Sequence, residues 1–238
     1  MIIKSLELQN FRNYNTLQLE FDSRTNIFYG DNAQGKTNIL EAIFMMATTK
    51  SHKGSKDQDI IRFGCEEAHI RSYLFKEEIT RQIDMHLRKG KTKGIAIDSQ
   101  RIKKAAELMG LLNVVFFSPE DLSIIKNGPA ERRRFIDMEL CQLDSFYLYN
   151  LNHYNKIINQ RNKLLKDLYL KPGLRETLSI WDSQLASFGG KLIERREIFI
   201  AQLSEIISEL HAKLSGGKEK ITVIYEKNTE IDDLEEKL

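Results

Sequence analysis

Gly30-Asp31-Asn32-Ala33-Gln34-Gly35-Lys36-Thr37 constrains this chain more than any other segment, because it fits G-x-x-x-x-G-K-[ST] at every fixed position. Thr25-Asn26-Ile27-Phe28-Tyr29 runs into it as a short apolar stretch that reads as a strand. From Thr37 to Met46 the pattern turns helical, with Ile39, Ile43 and Met46 on one face. A strand, a glycine-bearing loop and a helix in that order build an anion nest. The glycines let backbone approach a phosphate with no Cβ in the way, and the helix start adds inward N–H groups and its positive end. Lys36 is placed to reach β- and γ-phosphates as a point charge, and the Thr37 hydroxyl to ligate a Mg²⁺ bridging them. The alternative, a chance match in an ordinary loop, has to account for four fixed positions in the right context.

Around this loop the chain reads as an α/β lobe, residues 1–126, followed by a helical lobe, residues 127–238. Ile2 to Leu8 alternates apolar and polar, and Leu17, Leu19 and Phe21 alternate again after the turn-rich Phe11 to Asn15, which predicts an N-terminal β-hairpin. Ile60-Ile61, Ile70 to Phe75, Ile79 to Leu87 and Ile95 to Ile97 read as strands, and Val114 to Phe117 as a buried one. Ser118-Pro119-Glu120-Asp121 reads as a capped helix start. After Gly128-Pro129 the period becomes helical. Tyr147, Leu151, Tyr154, Ile158, Leu165 and Leu168 form one stripe, with Arg161 its polar member; Ile193, Arg196, Ile200, Leu203, Ile207, Leu210 and Leu214 form another. Lys171-Pro172-Gly173 breaks between them, so the pair predicts an antiparallel helical arm whose stripes pack against each other.

Composition excludes several classes. Hydrophobic residues are 41% of the 238, yet no apolar run is long enough to cross a bilayer, so no membrane is expected. The start lacks a secretory signal, and Cys65 and Cys141 share no metal or redox spacing, which predicts a cytoplasmic protein with reduced thiols. His52, His69, His86, His153 and His211 are scattered without ligand spacing. The net charge of +2 is too small to announce nucleic acid by itself.

The segments LELQNFRNY (from Leu6), GDNAQGKTNILEAI (from Gly30), SHKGSKDQDIIRFG (from Ser51) and SPEDLSIIKNGPAERRRFID (from Ser118) resemble the RecF family of the SMC and ABC-type P-loop ATPases. The resemblance covers essentially the whole chain, and it implies an ABC-type lobe with N-terminal β-hairpins and a mixed sheet. It implies ATP with Mg²⁺ as ligands, held by Gly30, Asp31, Asn32, Ala33, Gln34, Gly35, Lys36, Thr37 and Asn38, with Arg12 and Asn13 beside the nucleotide. Arg12 would face the phosphates as a forked donor, with a plain surface turn as the alternative. Ile61 and Arg62 would lie near the adenine, with an apolar strand as the alternative. Glu120 takes the place of the family's Q-loop, but Pro-Glu-Asp stands there without a glutamine, and capping acidity suits it better.

An ABC-type ATPase also needs a signature motif that opens a helix, and an apolar strand ending in acids. Leu214-Ser215-Gly216-Gly217-Lys218 looks like that signature. It reads as a decoy, a Gly-Gly turn from a helix to the strand-like Ile221 to Tyr225. The true signature and acidic strand lie further along in RecF relatives, so the chain reads as truncated, binding ATP without efficient turnover.

Lys50, His52, Lys53 and Lys56; Arg88, Lys89, Lys91 and Lys93; Arg101, Lys103 and Lys104; and Arg132, Arg133 and Arg134 form local basic clusters. Each is either a solvated face or a contact to a phosphate backbone, sequence-independent and salt-dependent. The resemblance implies DNA at single-strand gaps as partner, action with RecO and RecR in loading RecA, an ATP-dependent homodimer, and roles in DNA replication, repair of DNA damage and the SOS response. Two rival readings remain. A P-loop phosphotransferase would need a second acceptor pocket with a base, for which no motif stands out. A structural arm protein would bind nucleotide incidentally.

Overall fold

Alternating side chains and tight turns build the first layer. β1 (Ile2–Phe11) and β2 (Tyr14–Glu20) form the N-terminal hairpin. α1 (Lys36–Thr48) follows the glycine loop, and α2 (Asp57–Ile60) is a single turn. β3 (Glu67–Lys76), β4 (Ile79–Arg88), β5 (Gly94–Ile97) and β6 (Gln100–Arg101) complete a sheet of order β2-β1-β3-β4-β5-β6. The computed structural model describes every residue except 170, 232 and 238, together with all side chains except those of 105, 120 and 172 as well. The capping role expected of Glu120 therefore lies outside the described residues.

One face of the sheet carries Leu6, Leu8, Ile70, Leu74, Ile83, Met85 and Leu87, and α1 lays Ala42, Met45 and Met46 into the same core. Each fully buried aliphatic side chain of this kind contributes roughly 1.5–3 kcal/mol of burial. The register follows from the pattern: Ile70 faces Met85 and Ala68 faces Leu87, all buried, so shifting a strand by one residue would turn its apolar set to solvent.

The α/β class with N-terminal hairpins stands, but the sheet is not the mixed one expected: each of its ladders is antiparallel. Three segments expected as strands take no ladder. Residues 25–29 and 114–117 are assigned to no strand. Their alternation persists: Phe28 meets Phe21 edge-on at 6.2 Å between centroids while Ile27 and Tyr29 are 78% and 92% exposed. Phe116 packs on Phe44 and His52, and Val115 and Phe117 point outward. A pattern of sides is present, but a strand also needs a hydrogen-bonded neighbour, and no described strand supplies one. The third, Ile221 to Tyr225, runs along a helix instead of in a sheet, as described below. Ile60-Ile61 also departs from expectation, ending α2 and making one isolated bridge to Phe11.

Ser118 to Leu122 begins with the expected reciprocal cap, the Ser118 N–H donating to Asp121 Oδ2 at 2.6 Å. A 3₁₀ turn, Pro119–Leu122, and the short α3 (Ser123–Lys126) follow.

The chain divides into two compact units, Met1–Asn127 and Gly128–Leu238. The second holds α4 (Pro129–Leu143), α5 (Ser145–Asp167) and α6 (Leu178–Ser215). Pro129 takes the first helical position of α4, where its missing N–H leaves no bond unmade. Asp144 caps α5, accepting from the N–H groups of Phe146 and Tyr147 at 2.8 and 3.1 Å. α5 and α6 run antiparallel, since Arg161 meets Asp182 while Tyr147 meets Arg196. Arg161 and Arg196, the cations within the two apolar stripes, are thus both paired. Tyr147 is fully buried, and its hydroxyl lies between Asp137 at 2.5 Å and Arg196 at 2.8 Å. Ile221 and Val223 lie along α6 by bonding Ser208 Oγ and Ser204 Oγ through their backbone. Among the described residues no helix is long and apolar enough to cross a membrane.

Candidate nucleotide site

The glycine loop folds as its spacing requires. Gly30 has φ +134° and Gly35 φ +99°, and Ala33 between them also lies at positive φ, 64°. Left-handed residues within a loop that opens a helix are the backbone conformation from which anion nests are built. The first intrahelical bonds of α1 run from Asn38 and Ile39 to the Gly35 carbonyl, at 2.8 and 3.3 Å. The N–H groups of Lys36 and Thr37 precede them at the positive helix end. Lys36 folds back along the loop, its Nζ donating to the carbonyls of Gly30 at 2.7 Å and Asp31 at 2.5 Å. Asp31, Asn32, Ala33, Gln34 and Thr37 are exposed, as a loop that receives a polyanion from solvent must be.

The hairpin turn covers this loop. Asn13 donates from Nδ2 to the Gln34 carbonyl at 3.1 Å and accepts at Oδ1 from Asn38 Nδ2 at 2.9 Å. Tyr14 Oη reaches the same Gln34 carbonyl at 3.4 Å. Burial raises the Tyr14 phenol, so its hydroxyl stays a neutral donor.

Arg12, at φ 52°, sits at the junction of hairpin and helix. Its Nε and Nη2 grip Glu41 Oε2 and Oε1 at 2.8 and 2.6 Å, Nη2 also bonds Ser55 Oγ at 2.7 Å, and Nη1 bonds the Asp59 carbonyl at 2.8 Å. The fork expected to meet phosphate is therefore closed on a carboxylate. A guanidinium has five N–H donors, and these contacts engage all but one. Glu41 is fully buried and takes a third bond from Ser51 Oγ at 2.5 Å. Burial alone would raise its carboxyl. The bonds from Arg12 and Ser51, with the charges of Arg12 and Lys53, outweigh that and hold it below the usual range.

The same turn is stitched to residues 60–62. The Arg12 N–H donates to the Ile60 carbonyl and the Arg62 N–H to the Asn10 carbonyl, both at 2.8 Å. Ile61 faces the core, so the residues of this stretch open to solvent are the half-buried Arg62 and the fully exposed Phe63. Arg12, Asn13, residues 30–38 and residues 61–62 thus form one connected set.

Sequence reasoning missed Tyr14, Ser51, Ser55 and above all Glu41. A signal for Glu41 existed: it shares the buried face of α1 with Met45 and Thr48, one helical turn and two turns on, where an unpaired acid would be prohibitive.

The fit to a nucleotide triphosphate is good on the loop's own geometry. A Cβ at Gly35 would stand 2.6–2.7 Å from the side-chain ends of Asn13 and Tyr14, so a side chain there would displace both, beyond the strain of φ +99°. Thr37, exposed in the first turn of α1, is the side-chain oxygen available to a Mg²⁺ whose other ligands would be phosphate oxygens and water. Leu214 to Lys218, by contrast, closes α6. Gly216 takes φ 61° and the Gly217 N–H donates to the Ala212 carbonyl at 2.8 Å, so this Ser-Gly-Gly ends a helix where a signature opens one.

Basic side chains sort by partner. Lys93 is half-buried, donating to the Thr49 carbonyl at 2.6 Å and to Asp57 at 2.7 Å. Lys89 pairs with Glu66 and Arg88 with Glu67. Arg88, Lys91 and Arg101 line a concavity of about 500 Å³ at one end of the sheet, together with His86 and Thr92.

The RecF/RecN/SMC N-terminal domain family matches residues 2–225. The chain is 59% identical to the DNA replication and repair protein RecF of Lachnoclostridium phytofermentans, over all of this chain and 66% of that protein. It is 60% identical to that of Agathobacter rectalis, over 98% of this chain and 64% of the relative. The chain therefore spans just under two thirds of these relatives' length. The solved structure of the recombination mediator protein RecF-ATP in the RecFOR pathway is similar at TM-score 0.91 and 30% identity, over 99% of this chain and 66% of that one. The RecF-ATPrS structure gives 0.88 and 32%, over 99% and 65%.

Proposed function

The chain belongs to the RecF/RecN/SMC N-terminal domain family, on its RecF branch, and from that premise we propose that it binds ATP with Mg²⁺ as part of a DNA-repair ATPase. One observation carries the reading: a loop with positive φ at Gly30, Ala33 and Gly35, roofed by Asn13 and Tyr14, opens α1 and holds Lys36 folded along its own carbonyls. Lys36 exchanges its loop carbonyls for the β- and γ-phosphates. Backbone N–H groups from Asp31 to Asn38 receive the phosphate oxygens, and Thr37 holds the metal. Asn13 and Arg12 border the phosphates, and Ile61-Arg62 the base side, through backbone for Ile61. A Mg²⁺ held there by Thr37 would supply positive charge against the phosphates.

Nucleotide then acts as an assembly switch. Binding that differs between two states shifts the population toward one of them. Here the favoured state is a homodimer that engages DNA at single-strand gaps in the cytoplasm and, with RecO and RecR, helps load RecA. The DNA contact is sequence-independent and runs through basic side chains. Turnover by this chain is slow, because Leu214 to Lys218 closes a helix and so presents no helix-opening amides to a γ-phosphate.

The test is ATP binding and ATP turnover measured in the same samples, with Mg²⁺ and gapped DNA. Binding that Lys36→Ala abolishes, with little turnover, is the expected result. Binding that survives Lys36→Ala would overturn the site, and fast turnover would return Leu214 to Lys218 to consideration as a signature.

A further inference from the structure

We propose that Glu41 is a positioning residue of the nucleotide site: its buried carboxylate fixes Arg12, and through Arg12 the Asn13-Tyr14 turn that closes over Gly35. This rests on the ATP reading of the loop given above.

The argument starts from the cost of Glu41. A carboxylate with no exposed surface is strongly unfavourable unless charge-paired and hydrogen-bonded. Glu41 has three donors, two from Arg12 and one from Ser51. In a pair so enclosed, each partner dictates the other's place. Arg12 itself sits in the left-handed region at φ 52°, which a residue with a Cβ adopts only when its surroundings hold it there. What holds it is the Glu41 grip on the side chain and the bond from its N–H to the Ile60 carbonyl, 2.8 Å long. The residues directly after Arg12 are Asn13 and Tyr14, whose side chains bond the Gln34 carbonyl and pack against Gly35. A rotation at Arg12 would swing both off the loop.

The same geometry sets what Arg12 itself can offer. With Glu41 gripping Nε and Nη2, Ser55 taking the second Nη2 hydrogen and Asp59 one Nη1 hydrogen, the guanidinium can present one N–H to a phosphate, not a fork. Glu41 therefore acts on nucleotide affinity without touching nucleotide, and its effect passes through Arg12.

The experiment is a double-mutant cycle on the 238-residue chain, with affinities for Mg²⁺-ATP and for ADP read by displacement of a fluorescent ATP analogue. Glu41→Gln and Arg12→Ala should each weaken both nucleotides by roughly tenfold, equivalent to about 1.4 kcal/mol, and the double variant should be no weaker than the weaker single. Thermal unfolding is measured alongside. A purely structural Glu41 would lower Tm and leave the affinity of the folded protein unchanged, which overturns the proposal. Multiplying effects in the double variant would overturn it too, as would a loss in Arg12→Ala that Glu41→Gln does not share. Should Glu41→Gln fail to fold, Ser55→Ala removes one Arg12 tether without stranding a buried charge. It should weaken both nucleotides two- to threefold, and unchanged affinity there refutes the idea. If the unaltered chain binds no ATP, the nucleotide reading itself falls; if it binds and only Lys36→Ala fails, that reading survives whatever becomes of Glu41.

Discussion

Asn13 lies over Gly35, so close that a Cβ built at position 35 would stand 2.6 Å from its Oδ1. Gly30 differs. It too has positive φ, at +134°, but a Cβ there meets nothing within 4 Å. The two glycines of one motif are therefore required for different reasons, the first by backbone conformation alone and the second by conformation and close approach together.

Gly35→Ala should consequently be the more damaging change. Strain at a positive φ is of order 1–3 kcal/mol, and at Gly35 displacement of Asn13 and Tyr14 adds to it. We expect Gly35→Ala to abolish ATP binding and lower Tm, and Gly30→Ala to weaken binding with a smaller Tm change. Calorimetric titration beside thermal unfolding of both variants checks this. Equal behaviour of the two would mean that the roof over Gly35 contributes nothing.

These differences mark how far the sequence could be read. The loop, the hairpin, α1, β3 and β4 were all legible, because period and punctuation are local properties. Residues 25–29 and 114–117 were legible only in part. Alternation correctly puts Phe28 and Phe116 inward, but it carries no information about whether a neighbouring strand bonds the backbone. The Arg12–Glu41 pair was not legible at all. It joins residues 29 apart in sequence, and only the fold makes the acid on α1 face the turn between β1 and β2. Arg161 and Arg196 show the same limit within helices. Their stripe was visible, while their partners Asp182 and Asp137 lie on other helices.

Acid should act on the nucleotide-binding unit through Glu41. Its folded-state pKa is depressed, so its contribution is fully present above the unfolded carboxylate value near 4.3 and is lost as pH falls through the lower folded value. Glu41→Gln should destabilise the protein at neutral pH by roughly 1.5–3 kcal/mol, the range for hydrogen bonds to a charged group. That deficit should shrink once the pH falls below about 4. Circular-dichroism melts from pH 7 to pH 3 report it, and a deficit that instead grows as the pH falls would mean that Glu41 is protonated in the fold.

In the helical unit the equivalent test falls on Tyr147. Its phenol is raised by burial and by Asp137, and its neutral hydroxyl joins Asp137 to Arg196. Tyr147→Phe removes only that oxygen and should lower stability by about 1–2 kcal/mol. Arg196→Met also strands Asp137, and should lower it by about 3 kcal/mol, the low end for a broken pair because both partners keep some exposure. Trp181, the sole tryptophan, lies in α6 and makes urea unfolding of this unit readable by fluorescence. A larger loss from Tyr147→Phe than from Arg196→Met would contradict the assigned roles.

DNA contact, if it follows the proposed function, should separate lysines that sit two positions apart. Lys93 already bonds the Thr49 carbonyl and Asp57, tying the turn after β4 to the end of α1 and the start of α2. Lys91 is exposed and, with Arg101, lines the open concavity at the sheet's end. A side chain held in two internal bonds loses them if it turns to a phosphate, whereas an exposed one gives up only water. Removing one phosphate contact lowers the slope of log affinity against log salt by about 0.9 on duplex DNA and about 0.7 on single strands. Lys91→Ala and Arg101→Ala should therefore each flatten the salt dependence of gapped-DNA binding by nearly one unit, with Tm unchanged. Lys93→Ala should lower Tm and leave the slope as it was. Fluorescence anisotropy over a salt series decides it. A slope that falls for Lys93→Ala, or stays fixed for both Lys91→Ala and Arg101→Ala, would move the DNA contact away from this end of the sheet.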